Sequence, residues 1–344
     1  MNKRIAFRLD ANKNVASGHM YRCISIAKEC IRMGNDCLFF ISADSITEPL
    51  ETAGIKYVSL ELKWNDWNYN TNNLIAELKK SAVDYVVVDS YHVTEEFFDE
   101  LSRSFKVLYM DDICKTAYNI DASIHYSEWE GDSYLKDLYK GKKVKTFAGM
   151  QYTPLREEFR KLESDRERKY DLLITTGGTD TFHVTKLILE RIIESQSLSE
   201  LSVCAVFGMM NSDYDEVKTM CAGKGNIALY QNVKNMAELM QDSKYAVTAG
   251  GTTVYELMAS CTPFVVFSFS DDQTIFGERL EKNGNSIFAG DMRYEGNRVI
   301  DVITEQIETF FKKDKEEINS VIEKNRKAID GKGSVRIARI LDRL

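Results

Sequence analysis

Histidine is scarce in this chain, with four residues in 344, and no grouping of His, Cys and carboxylate has the spacing of a zinc site. The seven cysteines (Cys23, Cys30, Cys37, Cys114, Cys204, Cys221 and Cys261) include no C-x-x-C pair. Cys23, Cys30 and Cys37 stand seven apart, a helical-face spacing through the first two rather than a ligand spacing. An odd number of thiols behind M-N-K-R-I-A-F-R-L-D, which has no long apolar core, points to reduced cysteines and a cytoplasmic location. No run approaches the roughly 20 apolar residues of a bilayer span, so membrane insertion is not expected. The G-x-x-x-x-G-K-[ST] loop is missing, which excludes a P-loop nucleotidase, and no full G-x-G-x-x-G is present. Repeats of solenoid length and low-complexity segments are missing too. Positive charge is the minority sign: 45 Lys and Arg against 53 Asp and Glu give −8. A bulk field for nucleic acid is therefore absent, and an anionic ligand needs a local device such as a helix N-terminus.

What is present is globular: 44% hydrophobic and 28% charged residues, in a length that suits two domains. The first half alternates strand-like runs (4–9, 37–42, 57–60, 84–89, 107–110) with helical stretches (20–33, 72–81, 95–102). On the first helix Met20, Cys23, Ala27, Cys30 and Ile31 recur at three and four residues and predict one buried face, and Gly34 supplies the stop. A charged stretch, Lys161–Lys169, reads as linker. The alternation then restarts with strands at 171–175, 203–207, 227–230, 245–248 and 264–269 and helices at 184–194, 236–241, 254–260 and 275–283. The tail from Asn297 reads as two helices broken near Asp330-Gly331. The expected fold is α/β: two Rossmann-like parallel-sheet domains facing a cleft, spanning 1–160 and 170–315, with a helical tail over 316–344.

Ligands of such sheets sit beyond the carboxyl ends of the strands, which singles out four loops. In Ser17-Gly18-His19 a histidine stands at the mouth of a helix, where the positive end of the dipole disfavours a second positive charge. His19 is expected to stay neutral and able to accept a proton; the alternative is a surface imidazole capping the helix. In V-V-V-D-S-Y-H, Asp89 and Ser90 could simply turn the chain and cap the next helix, and nothing in the spacing requires Tyr91 to reach a ligand. In I-T-T-G-G-T-D the paired Gly177 and Gly178 permit close backbone approach. In V-T-A-G-G-T-T-V-Y-E, Gly250 and Gly251 open space, and the N–H groups of Thr252, Thr253 and Val254 would form a diphosphate cradle at a helix start. Thr253-x-x-Glu256 fits a capping box; with Thr252 as the cap, Glu256 projects instead toward solvent or a ribose. Asp213-Tyr214-Asp215 matches a D-x-D tripeptide but lies on no clear strand end, and Asp111-Asp112 reads as a solvated turn more readily than a cation site.

The ordered series R-L-D…S-G-H-M-Y-R, V-V-D-S-Y, Y-M-D-D-I, Y-T-P-L-R-E-E-F, T-G-G-T-D, A-G-G-T-T-V-Y-E and F-S-F-S-D-D-Q resembles the PseG-like nucleotide-sugar hydrolases of pseudaminic acid biosynthesis, which remove UDP from a diacetamido-trideoxy-altrose. It is also similar to the spore-coat polysaccharide proteins and, more distantly, to MurG-like glycosyltransferases. The likeness runs from about Arg4 to Gln273. It implies a GT-B-like fold, a UDP-sugar substrate, no metal or other cofactor, a catalytic role for His19 and an active-site role for Tyr91. The sugar would face the first domain and the nucleotide the second. Gly250, Gly251, Thr252, Thr253 and Glu256 match the nucleotide-binding loop and its ribose-contacting acid, Gln273 a glutamine after the next strand, and Asp10, Gly18, Gly177 and Gly178 the remaining binding positions. The chain departs from the family at Asp89-Ser90-Tyr91, where Asp-His-Tyr is usual, at Asp272-Gln273, where Asn-Gln is usual, and over Ile124–Glu130. The reaction so implied is attack of water at the anomeric carbon with inversion. Its rivals are an inverting glycosyltransferase and a non-catalytic nucleotide-sugar binder.

Overall fold

The computed structural model describes the chain apart from residues 1, 13–14, 16–17, 128–132, 161, 163–165, 179, 209–210, 232 and 234. It divides into two units, Met1–Glu157 with Asp330–Leu344, and Glu158–Ile329. The first unit carries β1 (Arg4–Leu9), α1 (Gly18–Arg32), β2 (Asp36–Ser42), α2 (Glu48–Ala53), β3 (Lys56–Leu60), α3 (Thr71–Lys80), β4 (Tyr85–Asp89), α4 (Glu95–Ser102), β5 (Lys106–Met110), β6 (Ala122–His125), α5 (Tyr134–Leu138) and β7 (Lys145–Ala148). The second carries β8 (Tyr170–Thr175), α6 (Val184–Glu194), β9 (Val203–Phe207), α7 (Tyr214–Met220), β10 (Ile227–Gln231), α8 (Met236–Gln241), β11 (Ser243–Ala249), α9 (Thr253–Ala259), β12 (Phe264–Ser268), α10 (Asp271–Lys282), β13 (Ile287–Asp291), α11 (Met292–Glu295), α12 (Asn297–Phe310) and α13 (Lys315–Ala328). The last helix, α14 (Gly333–Arg343), returns to the first unit and packs on α1.

Strand order is β3-β2-β1-β4-β5-β6-β7 in one sheet and β10-β9-β8-β11-β12-β13 in the other, with every pair parallel. Each sheet grows one way from its first strand and then the other, so each has a switch point, between β1 and β4 and between β8 and β11. The run Y-V-V-V-D is buried over its whole length, as a strand covered on both faces requires, and so shows no alternation. Leu172, Ile174, Val247 and Val265 centre the core of the second unit, and Val86, Val88, Phe97 and Phe98 a core of the first.

Three strands escape the sequence pattern. β6 is A-S-I-H, in which Ser123 and His125 are buried although polar, and β7 is a short edge strand, K-T-F-A. β13 contains Gly290 at φ +118, and a glycine in a strand reads as a break. On α1, Met20, Cys23, Ala27 and Cys30 are buried as their spacing predicts, but Ile31 is 45% exposed. Ile31 lies on the same side of the helix as Met20 and Ile24 but in its last turn, one residue from the end at Arg32. The tail forms three helices, because Asp314 accepts from the Glu317 N–H at 2.9 Å and starts a new one.

Candidate active site

In the first unit Leu9 pairs with Asp89, so β1 and β4 finish level at the switch point. His19 is the second residue of α1 and is 6% exposed. Its Nδ1 lies 2.6 Å from Asp89 Oδ1. Asp89 also accepts from Arg22 Nε at 2.5 Å, from Arg22 Nη2 and from Cys23 Sγ at 3.3 Å. Burial alone would push the Asp89 carboxyl up; Arg22 and His19 outweigh it and hold it well below the usual carboxylate range. Burial and the same carboxylate push the Cys23 thiol up, so it remains a donor. An ionised carboxylate can only accept, so the proton of the 2.6 Å contact belongs to His19 Nδ1, and in the neutral ring Nε2 is the basic nitrogen. Arg22 Nη2, 2.9 Å from Nδ1, is then a close approach of two donors, both serving Asp89.

The arrangement removes the capping alternatives for His19 and Asp89. His19 is a buried group inside the helix rather than a surface cap, and the nearest influence on it is Asp89, not the helix end alone. Asp89 caps nothing: the N-cap of α4 is Thr94, which accepts from the Phe97 N–H at 3.1 Å. Tyr91 is half exposed and meets the His19 ring edge-on, with centroids 4.7 Å apart. Arg22 reaches further, to Asp112 Oδ2 at 2.6 Å and to the Tyr126 hydroxyl, and Asp112 faces the Tyr91 hydroxyl. Asp111-Asp112 is therefore no solvated turn, since Asp111 is 1% exposed and Asp112 is ion-paired. Asp10 is buried too; Oδ1 accepts from Arg8 Nη1 at 2.8 Å and from the Ser42 N–H at 3.2 Å, while Oδ2 is buried without a partner. Gly18 opens α1 in open space, and nothing in the structure explains a glycine there. Ser17 and residues 128–130 of the Ile124–Glu130 stretch lie outside the described residues.

In the second unit Thr175 pairs with Thr248, bringing the loops after β8 and β11 to one edge. Gly177 has φ +92, a conformation that selects glycine, and Gly178 is exposed; Thr179 lies outside the described residues. Gly208 packs beneath them, where an added Cβ would come within 2.3 Å of Gly178 O. Asp180 takes the Val184 and Thr185 N–H groups on its two oxygens, at 2.9 and 2.8 Å. The start of α6 is thus already served by a carboxylate. At the start of α9 the N-cap is Thr252, which makes no side-chain cap bond. This removes the Thr253–Glu256 capping box and leaves Glu256 half-buried in the first turn. Of the three N–H groups expected in the cradle, that of Val254 bonds Gly251 O at 3.1 Å, which would limit such a cradle to Thr252 and Thr253. Gly250 is a packing glycine: its N–H bonds Phe267 O at 2.8 Å, and a Cβ would meet Gln273 Cβ and O at 3.1 Å. A Cβ at Gly251 would meet nothing. Gln273 Oε1 accepts from the Phe269 N–H at 3.1 Å, which turns its NH2 end to other partners.

Arg22, Asp180 and Gly208 are not among the site residues expected from the sequence, and Asp112 is expected there as part of a turn. H-x-x-R at i, i+3 on a helix start was the available signal for Arg22. Asp213 pairs with His183 Nδ1 at 2.7 Å, which takes the D-x-D tripeptide into a local ion pair. Among the described residues no group of three or more His, Cys, Asp or Glu is arranged to hold a metal ion, and no helix is long and apolar enough to cross a membrane.

No family model matches the chain. An uncharacterized protein of Methanocaldococcus jannaschii is 26% identical over 276 residues, 76% of this chain; the match spans only 55% of that longer protein. A UDP-2,4-diacetamido-2,4,6-trideoxy-beta-L-altropyranose hydrolase of Campylobacter jejuni is 24% identical over 295 residues, covering 83% of this chain and 98% of the hydrolase. Among solved structures, MurG of Acinetobacter baumannii superposes with a TM-score of 0.70 at 11% identity, over 100% of both chains. A glycosyltransferase of Rickettsia africae gives 0.63 at 14% identity, over 99% of this chain and 97% of its own. With two Rossmann-like parallel-sheet units in this order, the chain has a fold of the GT-B type.

Proposed function

We propose that the protein is a UDP-sugar enzyme that moves the glycosyl group, with inversion, from UDP to an O–H nucleophile. The observation that carries this reading is the buried His19–Asp89 pair at the first switch point, whose geometry leaves Nε2 as a base. Nε2 takes the proton of the nucleophile as its oxygen bonds the anomeric carbon. The bond from that carbon to the β-phosphate oxygen breaks, and UDP leaves as an anion. Asp89 stabilises the imidazolium that forms. The second unit holds the nucleotide: the Thr252 and Thr253 amides meet the phosphates at the uncapped start of α9, where donors fixed in advance stabilise developing charge. Glu256 takes the ribose, Gln273 adds its amide, and Gly177, Gly178 and Gly251 give room for close approach. Tyr91 and Asp10 belong to the sugar side.

The shared fold with glycosyltransferases supports a hydroxyl acceptor as the nucleophile. A second reading, with water in that place, is supported by the likeness to the Campylobacter hydrolase, nearly the whole of which this chain matches. A panel of UDP-sugars incubated with and without sugar acceptors separates the two: a disaccharide-type product marks transfer, and free sugar without acceptor marks hydrolysis. His19→Ala is expected to lower turnover by roughly 10²–10⁴-fold while calorimetry shows UDP binding retained. Asp89→Asn, which can donate to Nδ1 and favour the wrong tautomer, is expected to fall by a similar factor. Unchanged turnover in both variants removes the base assignment.

A further inference from the structure

We infer that Arg22 is a positioning residue, which fixes the His19 tautomer and ring orientation by holding both oxygens of Asp89. The inference rests on the reading of His19 as the base. Five observations carry it. Arg22 is buried, and its guanidinium meets Asp89 in a two-point contact through Nε and Nη2. Its remaining nitrogen, Nη1, bonds Asp112 Oδ2 at 2.6 Å and the Tyr126 hydroxyl, with the Tyr126 ring centroid 5.4 Å from the guanidinium. The contacts close a circuit: His19 to Asp89, Asp89 to Arg22, Arg22 to Asp112, Asp112 to Tyr91, and Tyr91 back onto the His19 ring. The members come from α1, from the end of β4 and the segment after it, and from the segment after β5, with Tyr126 adding the segment after β6, so Arg22 ties these parts of the sheet edge to the base. Among the described residues, the charged or titratable groups that face His19 and its partner are Asp89, Arg22 and Cys23, then Tyr91, Asp112 and Tyr126, with Tyr109 acting on Asp89 from β5.

The charge balance gives the consequence. Asp89 and Asp112 carry two negative charges around one guanidinium. With Arg22 present, Asp89 accepts the Nδ1–H bond while both of its oxygens are also held by the guanidinium, so the ring is oriented by a carboxylate that is itself fixed. Without Arg22, the Asp89 carboxylate beside the ring loses the cation that offsets it, and a nearby opposite charge favours the protonated form by about 1–3 pH units. The imidazole would then lose Nε2 as an acceptor. A lysine restores the charge but not the planar two-point contact.

The test is ¹⁵N NMR of histidine-labelled protein, with the His19 signals identified by their loss in His19→Ala. In the wild type the expected signature is a protonated Nδ1 and a bare Nε2. Arg22→Gln is expected to give a doubly protonated ring at the same pH, and to move the acid limb of the kcat/KM profile upward by at least one unit. Arg22→Lys, the variant that keeps the charge if the glutamine does not fold, is expected to keep Nε2 bare but to lose the fixed Nδ1–H resonance. It should lower kcat at least tenfold with KM within a factor of two. Wild-type ¹⁵N signals and a wild-type kcat in Arg22→Lys, or in both variants, overturn the inference. A wild-type protein with the expected NMR signature but no turnover of any UDP-sugar defeats the proposed function instead and leaves the positioning role standing.

Discussion

Asp111 directly follows β5, with one carboxylate oxygen taking the Cys114 N–H at 2.7 Å and the other buried without a partner. Burial pushes its carboxyl up to about 6 from an ordinary 3.8. The folded chain therefore binds this proton more tightly than the unfolded chain does. The associated stability is present in full below about pH 4 and is lost as pH rises to about 6, on the order of 2 to 3 kcal/mol. Asp111→Asn keeps the acceptor for Cys114 and removes the charge. Thermal melts should show the variant several degrees more stable than wild type at pH 8 and level with it at pH 4; equal melting points at pH 8 would contradict the buried, strained carboxylate. Asp89 has the opposite sign: held low by its partners, it contributes stability at neutral pH that is lost only in strong acid. These residues also show where the sequence stops speaking. Glycine-histidine before a helical run was enough to mark His19, because position along the chain decides it. Asp89 and Asp112 looked like turn residues, because what distinguishes them is a partner 67 or 90 positions away, and single-chain spacing does not encode such distances.

The Gly177-Gly178 loop at the second switch point is packed by close backbone contacts. Gly208 touches the carbonyls of Gly177 and Gly178, so a methyl group there pushes on main chain that has no room to give. Gly208→Ala is expected to cost about 1–3 kcal/mol and to weaken UDP binding at least tenfold by calorimetry. Gly18→Ala, whose added Cβ meets nothing within 4 Å, should leave UDP binding unchanged. Undisturbed affinity in Gly208→Ala would show that the Gly177-Gly178 loop does not touch the nucleotide. Strands with continuous β-branched runs and helices with a clean apolar stripe were legible from the sequence. The misses came from short elements whose burial is imposed by neighbours: β6 buries a serine and a histidine, and β7 closes an edge. In the tail, D-x-x-E at Asp314–Glu317 was a readable start signal for α13 that the long polar face obscured.

The whole molecule consists of two units of unequal continuity. The second is one uninterrupted segment, Glu158–Ile329, and its apolar core draws on that segment alone. A fragment of residues 158–329 is expected to fold cooperatively and bind UDP, as read by a single thermal transition that rises with added UDP. The first unit is assembled from two stretches, and α14 buries Ile337, Ala338 and Leu341 against it. Removing residues 330–344 exposes this face at a cost of roughly 1.5–3 kcal/mol for each large side chain, so the transition of the first unit should fall while that of the second stays put. A common shift of both would disprove their independence. The interruption bears on how the chain is made. At about 5–20 residues per second, a ribosome needs on the order of ten seconds or more to travel from Glu157 to α14. For that interval the earliest part of the protein waits with one apolar flank of α1 bare, while the whole of the second unit is being synthesised. The nascent first unit is thus the stage at which chaperones should engage, and their release should coincide with emergence of the final helix.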